Sequence, residues 1–221
     1  MIYEDYLPTP REGSMSFNSD EIVQNIRTEL ESMLQYVQES EGSTADAVER
    51  SLFKQLLGLG AQLMLLFFSL RASGCPHTPL ATEDGREVSY HSEKKRNYYS
   101  IFGKLPFWRP YFYTQGIGGA SPLDEQLSLG DDCYSDLVRE LAEYLGVDMT
   151  YAKVSHFFAR LLGQGLSTQA IGSMMAEDAA DVEPYYEQKS APDVASEAAI
   201  LVAQAGPEGS PKGIPMVRET P

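Results

Sequence analysis

A leucine repeat in the first third of the chain constrains the fold more than any other feature. It alternates steps of four and three residues and consists of Leu52, Leu56, Leu59, Leu63, Leu66 and Leu70. This spacing places the six side chains on one side of an α-helix, as in a coiled-coil seam. Further large apolar residues widen the surface beyond a two-stranded seam: Phe53, Leu57, Met64, Leu65, Phe67 and Phe68. The pattern favours a helix packed into a larger core, and a dimeric coiled coil is the alternative.

A second helix is predicted just before the repeat. Residues 1–17 contain Pro, Gly and Ser and are predicted to be irregular, whereas Ser19 and Asp20 can cap a helix that ends near Glu39. Ser43 can cap the leucine-rich helix. The sequence thus predicts a helical hairpin over residues 18–72, followed by a linker over residues 73–85.

The character of the chain changes over residues 86–122, which are rich in aromatic and β-branched residues. The stretch VSYHSEKKRNYYSIFGKLPFWRPYFYT lacks a helical period and predicts a β-hairpin with its turn at Gly103-Lys104. Pro106 and Pro110 lack a backbone N–H, so we expect the second strand at a sheet edge. Residues 115–122 are predicted to be a turn-rich connector.

This hairpin is basic although the whole chain carries a net charge of -15. Between Arg86 and Tyr113 six basic residues stand against two acidic ones. Basic residues among aromatic ones can hold a nucleic-acid backbone and stack on bases, so five of them are predicted phosphate contacts: Lys94, Lys95, Arg96, Lys104 and Arg109. The alternative is a solvated hairpin whose aromatic residues form half of a sheet's core.

Residues 123–190 are predicted to be helical, with helices over Asp132–Tyr144 and Thr150–Leu162 and a third that opens at Ser167 and runs toward Pro184. The short GQGLS connection gives the outline of a helix-turn-helix. Ser167, Thr168 and Gln169 would then approach DNA bases. Ordinary helical packing is the alternative, and acidic residues from Glu177 onward would repel DNA.

Composition excludes several classes of protein. With 43% hydrophobic residues the chain is globular, and its two cysteines, Cys75 and Cys133, are too few and too far apart for a disulfide framework or a zinc ribbon. The first residues lack a secretory pattern, so a cytoplasmic location is expected. The longest uncharged stretch, residues 55–70, is shorter than a membrane span needs, so no membrane partner is expected.

Several strings together resemble one family. They are HSEKKRNYYSIFGKLPFWRPYFY, GIGGASPLDEQLSLGDDCYSDLVRELAEYLGVDMTYAKV, LLGQGLSTQAI, EDAADVEPYYEQK and ILVAQA with GIPMVR. They resemble bacterial insertion-sequence transposases of the Kra-four family, a branch with Mutator-like, DDE-type relatives. The resemblance implies a following RNase H-like catalytic domain whose three acidic residues hold Mg²⁺ for DNA strand transfer. It also implies the terminal inverted repeats of the element as a partner.

The same resemblance assigns residues 191–221 to the start of that catalytic domain, with its first strand at Ala199–Ala205. Gly206 stands where the family has its first metal-binding Asp. No catalytic residue, metal ligand or cofactor is therefore expected in this chain, and whether it acts as an enzyme stays open. The predicted fold is α+β, mainly helical, with an incomplete RNase H-like domain.

Three interpretations of function follow from these patterns. The first is a truncated transposase fragment that binds DNA and multimerises without strand transfer. The second is an interaction protein that pairs with another copy or with an intact transposase without binding DNA. The third is an enzyme completed by a second polypeptide from a downstream reading frame.

Overall fold

α-Helices form most of the part of the chain that the structure describes, and two small antiparallel sheets lie among them. The computed structural model describes residues 18–81, 85–163, 165–180 and 182–190. The chain divides into two compact units, Met1–Ala179 and Ala180–Pro221. The α+β, mainly helical class is confirmed. The predicted strand Ala199–Ala205 and Gly206 lie outside the described residues, so the RNase H-like part of the prediction stays a prediction.

The predicted helical hairpin is present and consists of α1 (Ser19–Gln38) and α2 (Ala45–Ser73). Each helix is capped one residue from the predicted position, by the side chains of Asn18 and Thr44. The hydroxyls of Ser19 and Ser69 lie 3.0 Å apart, which joins the start of α1 to the end of α2. The two helices therefore run antiparallel.

α2 is packed into a larger core as predicted, but the leucine repeat does not form its core-facing side. The core is instead contacted by Leu57, Ala61, Leu65 and Phe68. Leu56, Leu63 and Leu70 of the repeat each remain at least half exposed. Apolar residues thus cover two sides of α2, and the leucine periodicity identified the side that the other described residues leave exposed.

Two short strands, β1 (Leu80–Ala81) and β2 (Glu87–Val88), pair with each other within and just after the predicted linker. The predicted hairpin is confirmed as β3 (Tyr90–Ser100) and β4 (Gly103–Thr114), and β5 (Gly118–Ala120) pairs with the end of β4. Because β5 pairs only with Phe112, Tyr113 and Thr114, Pro106 and Pro110 lie on an edge segment as predicted.

The turn of the hairpin lies at Ile101 and Phe102, not at Gly103-Lys104. Ser100 pairs with Gly103, and the Ser100 hydroxyl accepts a hydrogen bond from the Phe102 backbone N–H at 3.1 Å. Gly103 has φ +116°, a conformation that favours glycine. The prediction was wrong by two residues because Phe102 packs against α2 at Gly60, a long-range contact that turn propensity does not contain.

One core lies between the hairpin and α2. The rings of Phe68 and Phe107 stack with centroids 4.2 Å apart, and Leu65, Leu105 and Leu123 are fully buried around them. Leu123 comes from a short helix, α3 (Pro122–Gln126), that the sequence did not predict. This core fixes the inner side of the β-hairpin.

A second core holds three helices together: α4 (Asp136–Asp148), α5 (Tyr151–Leu162) and α6 (Thr168–Ala179). Its fully buried residues include Val138, Val154, Phe158, Ile171 and Met174. α4 begins four residues later than predicted, because Ser135 caps it. The third predicted helix ends at Ala179, and a separate short helix, α7 (Val182–Gln188), contains Pro184 in its first turn.

The β-hairpin is also joined to the three helices through its backbone. The Tyr99 N–H donates to the Cys133 carbonyl at 2.6 Å, and the Ser135 N–H donates to the Tyr99 carbonyl at 2.9 Å. Ser135 in turn caps α4 with its side chain. The tip of β3 therefore holds the first residues of α4 in place.

Candidate nucleic-acid interface

The register of the hairpin divides the five predicted phosphate-contacting residues between two faces of the sheet. Lys95 lies opposite Trp108 and Lys104 lies opposite Tyr99, whereas Lys94 lies opposite Arg109. Because side chains alternate along a strand, Lys95 and Lys104 share one face. Lys94, Arg96 and Arg109 share the other, so the structure does not bring the five together.

Arg96 and Arg109 are engaged within the protein. Arg96 donates to Asp124 at 2.8 Å, and Arg109 donates to both carboxylate oxygens of Asp124 at 2.5 and 2.7 Å. Arg96 also donates to the backbone carbonyls of Gly130 and Asp132. Both arginine side chains are 14% exposed and the Asp124 side chain is 21% exposed. This geometry supports a structural role for both arginines, and their predicted contact with phosphate stays a prediction.

The three lysines of the hairpin are exposed. The Lys94 ammonium lies 3.3 Å from the centroid of the Tyr111 ring, and the Lys104 ammonium lies 5.6 Å from that of the Tyr99 ring. These cation–π contacts orient the charges without removing them from water. Lys95 and Lys104, beside Trp108 and Tyr99, are the best placed to combine phosphate contact with stacking.

The start of α6 presents the residues predicted to approach bases. The Ser167 hydroxyl accepts the Ala170 N–H at 3.0 Å and so caps the helix, while Thr168 and Gln169 are exposed in its first turn. Gly163 ends α5 in the left-handed conformation at φ +73°, which allows the short connection. α5 and α6 thus follow one another on a shared core, and their interpretation as a helix-turn-helix stays a prediction.

A shallow cleft of about 250 Å³ lies beside this helix start. Its lining includes Ser167, Gln169, Ser173 and Arg139. Arg139 donates to Asp132 and, at 2.9 Å, to Glu177. Beside this ion-paired cluster, the lining of the cleft offers the hydroxyl groups of Ser167 and Ser173 and the amide of Gln169.

Two exposed basic residues on α5 were missed by the sequence analysis. Lys153 and Arg160 are seven residues apart, and two turns of helix place them near one side of α5. The signal was available, because the helix before a predicted recognition helix commonly crosses the DNA backbone. They add positive charge to the three-helix cluster.

The C-terminal half of α6 is acidic, in contrast to the basic residues on α5. Glu143 of α4 shares a hydrogen bond with Asp178, and this contact together with burial and the Asp178 charge raises the pKa of Glu143 from 4.5 to about 7. With Glu177 nearby, negative charge gathers at the end of α6. The two ends of α6 therefore differ in charge, and its C-terminal end is the acidic one.

The described residues do not contain a metal site: no group of three or more His, Cys, Asp and Glu side chains could hold an ion. They therefore offer no fit for the Mg²⁺ of a complete DDE-type enzyme. Within the same residues α2 is long and apolar enough to cross a membrane by length and composition, although 39% of its most apolar window is buried in the protein. The prediction of no membrane partner stays a prediction.

Comparison with known proteins finds no family model and no curated protein that matches the chain.

Proposed function

We propose that the chain binds DNA as part of an insertion-sequence transposase, with α4, α5 and α6 as the DNA-reading module. The observation that carries the proposal is the exposed start of α6, where Thr168 and Gln169 follow the tight turn on a buried three-helix core. A helix supported in this way can enter a major groove with its first turn. A glutamine there can make paired hydrogen bonds to adenine.

The distribution of charge supports the same orientation. The N-terminus of α6 carries partial positive charge from its free N–H groups, and Lys153 and Arg160 lie on α5. Acidic residues lie at the other end of α6. DNA contact through the first turn therefore avoids the repulsion that the net charge of -15 would otherwise cause.

The β-hairpin is proposed to add phosphate contacts through Lys95 and Lys104. Arg96 and Arg109 would act indirectly, by holding α3 against the hairpin through Asp124, while Arg96 also holds the loop before α4 through the Gly130 and Asp132 carbonyls. The proposal assigns no strand-transfer chemistry to the described residues.

The test is fluorescence anisotropy with a duplex from the terminal repeats of the element and a scrambled duplex, over a range of salt concentrations. We expect tighter binding to the terminal repeat and a linear fall of log affinity with log salt. The Thr168→Ala, Gln169→Ala double variant should lose about tenfold or more of the discrimination between duplexes. The Lys95→Ala, Lys104→Ala variant should bind both more weakly and reduce the salt slope by about 2.

Lys189→Ala is the matched control, because it removes an exposed positive charge just after α7, at a residue that belongs to neither the proposed DNA surface nor the leucine-rich side of α2. It should leave affinity and discrimination close to those of the unmodified chain. Equal affinity of all variants for both duplexes would contradict the proposed surface, and no salt-dependent affinity would contradict DNA binding altogether.

The second candidate function is that of an interaction protein that pairs with another copy or with an intact transposase and does not bind DNA. The exposed leucines of α2 favour it, since apolar surface of this extent is typical of a protein contact. The same anisotropy series separates the two functions.

A further inference from the structure

The leucine repeat of α2 faces away from the core, and half of it is strongly exposed. Leu56, Leu63 and Leu70 are 54%, 50% and 56% exposed, and Leu52, Leu59 and Leu66 are half-buried beside them. The stripe is continuous over five helical turns. Burial of such side chains is a main source of association energy, so a stripe of this length is costly to leave in water.

α1 extends this surface. Leu30, Leu34 and Val37 of α1 are 47%, 56% and 50% exposed. Ile22 and Met33 mark the side of α1 that is buried, and the three exposed residues lie about a quarter-turn from it. The leucines of α2 lie to one side of the surface of α2 that contacts α1. Because the two helices are antiparallel, this offset places the leucines on the same side of the hairpin as the exposed residues of α1. We call these nine residues of α1 and α2 the leucine face.

We propose that the leucine face is the contact surface for a second copy of this chain, which packs against it antiparallel to form a four-helix bundle of α1, α2 and their copies. The spacing of the repeat supports an antiparallel second copy as the partner. Steps of 4, 3, 4, 3 and 4 read the same in both directions, so a two-fold axis near residue 61 matches every leucine with another. The pairs are Leu52 with Leu70, Leu56 with Leu66, and Leu59 with Leu63 of the second copy.

Charge at the two ends of α2 agrees with the antiparallel direction. Glu49 and Arg71 lie near opposite ends of α2, beside the leucine face on its same edge. The two-fold axis brings Glu49 within one helical turn of Arg71 of the second copy, at both ends of the bundle. A parallel pairing would instead leave Glu49 and Arg71 at opposite ends of the bundle, so this attraction between the copies would be lost.

The size of the surface is also suitable. At roughly 60 Å² for each half-exposed side chain, the leucine face offers about 500 Å² of apolar area per copy. A stable interface buries about 800 Å² per partner, of which more than half is apolar. The leucine face therefore supplies the apolar part of one standard interface, and the polar edges complete it.

The first experiment is sedimentation velocity on the full chain over a concentration series, without DNA. We expect a species of twice the 24.5 kDa chain mass at micromolar concentration. Leu63→Glu should raise the dissociation constant by at least about 100-fold, because it places carboxylates in the apolar seam. Leu137→Glu is the matched control on α4, where the leucine is 44% exposed, and should leave the dimer unchanged.

The second experiment tests the direction. Leu59→Lys and Leu63→Glu should each weaken the dimer, and the double variant should recover it, because the antiparallel register brings each lysine opposite a glutamate of the other copy. In a parallel register the double variant would align like charges and stay monomeric. Far-UV circular dichroism on each variant verifies that the helices are retained.

An unmodified chain that is monomeric at 100-fold above micromolar concentration overturns the proposal, whatever the variants do. Flotation of such a monomer with phosphatidylcholine vesicles would assign the leucine face to lipid instead. A dimer that Leu63→Glu leaves intact places the contact elsewhere, and failure of the double variant to recover association overturns the antiparallel arrangement. None of these outcomes depends on DNA, so this inference and the proposed function can fail separately.

Discussion

Among the charged residues that contact the hairpin, Asp124 of α3 is predicted to be the one whose replacement destabilises the fold most. Its carboxylate accepts three hydrogen bonds from Arg96 and Arg109, and all three side chains are at least 79% buried. Asp124→Ala leaves two guanidinium groups in this partly dry site without their counter-ion. Breaking a buried ion pair by removal of one partner costs about 3–5 kcal/mol.

This magnitude can be measured by urea denaturation followed by circular dichroism. With a slope of about 2 kcal/mol per molar urea, the midpoint should fall by about 2 M. The melting temperature should fall by about 10 °C in a chain of this size. Both changes should be the same in low and moderate salt, because buried pairs are poorly screened.

Asp46→Ala is the matched control. Asp46 also pairs with an arginine, Arg50, at 2.9 Å, but both side chains are about 70% exposed. Its replacement should change the midpoint far less. If the two variants destabilise the chain equally, or if Asp124→Ala leaves the midpoint unchanged, the structural role of Arg96 and Arg109 would be refuted and their contact with phosphate would regain support.

Three further predictions concern the helices. Because the pKa of Glu143 is raised to about 7, its protonated form stabilises the fold fully below about pH 4.5, and this contribution is lost as pH rises through 7. The amide of a Glu143→Gln variant donates to Asp178 at any pH. In thermal melts this variant should therefore be more stable than the unmodified chain by about 1 kcal/mol at pH 8, after solvent screening, and should show no gain in stability at pH 4. Gly60→Ala should lower stability by about 1 kcal/mol, since the new methyl group would overlap the Phe102 ring and the gain in helix propensity only partly offsets this overlap. In a double-mutant cycle, Phe102→Leu should relieve this loss of stability. Gly163→Ala should cost about 1 kcal/mol in urea denaturation because an L-residue is strained at φ +73°, and an unchanged midpoint would show that the turn adopts another conformation.

Local sequence patterns predicted the elements of the fold well. Helical periodicity gave α1, α2, α5 and the start of α6, and aromatic residues between turn signals gave the β-hairpin. These signals succeed because each helix or strand buries one of its sides, and the spacing of apolar residues along the chain indicates which side that is. The predicted ends of the helices were less accurate where a capping residue sets the end, as Ser135 does at the start of α4.

What the sequence could not give are the relations between distant residues. The charge count marked Arg96 and Arg109 as basic but did not show that both would pair with Asp124, which is 28 and 15 residues away along the chain. The leucine repeat likewise showed an apolar stripe without showing that Leu57, Leu65 and Phe68 would be the residues that meet the core. Such partners are decided by tertiary packing, for which a single sequence carries no direct signal.

The backbone link at Tyr99 has a mechanical consequence. Two main-chain hydrogen bonds tie the tip of β3 to Cys133 and Ser135, and Ser135 holds the first turn of α4. A displacement of the hairpin would therefore be transmitted through these two hydrogen bonds to the start of α4, the helix against which α5 and α6 are packed.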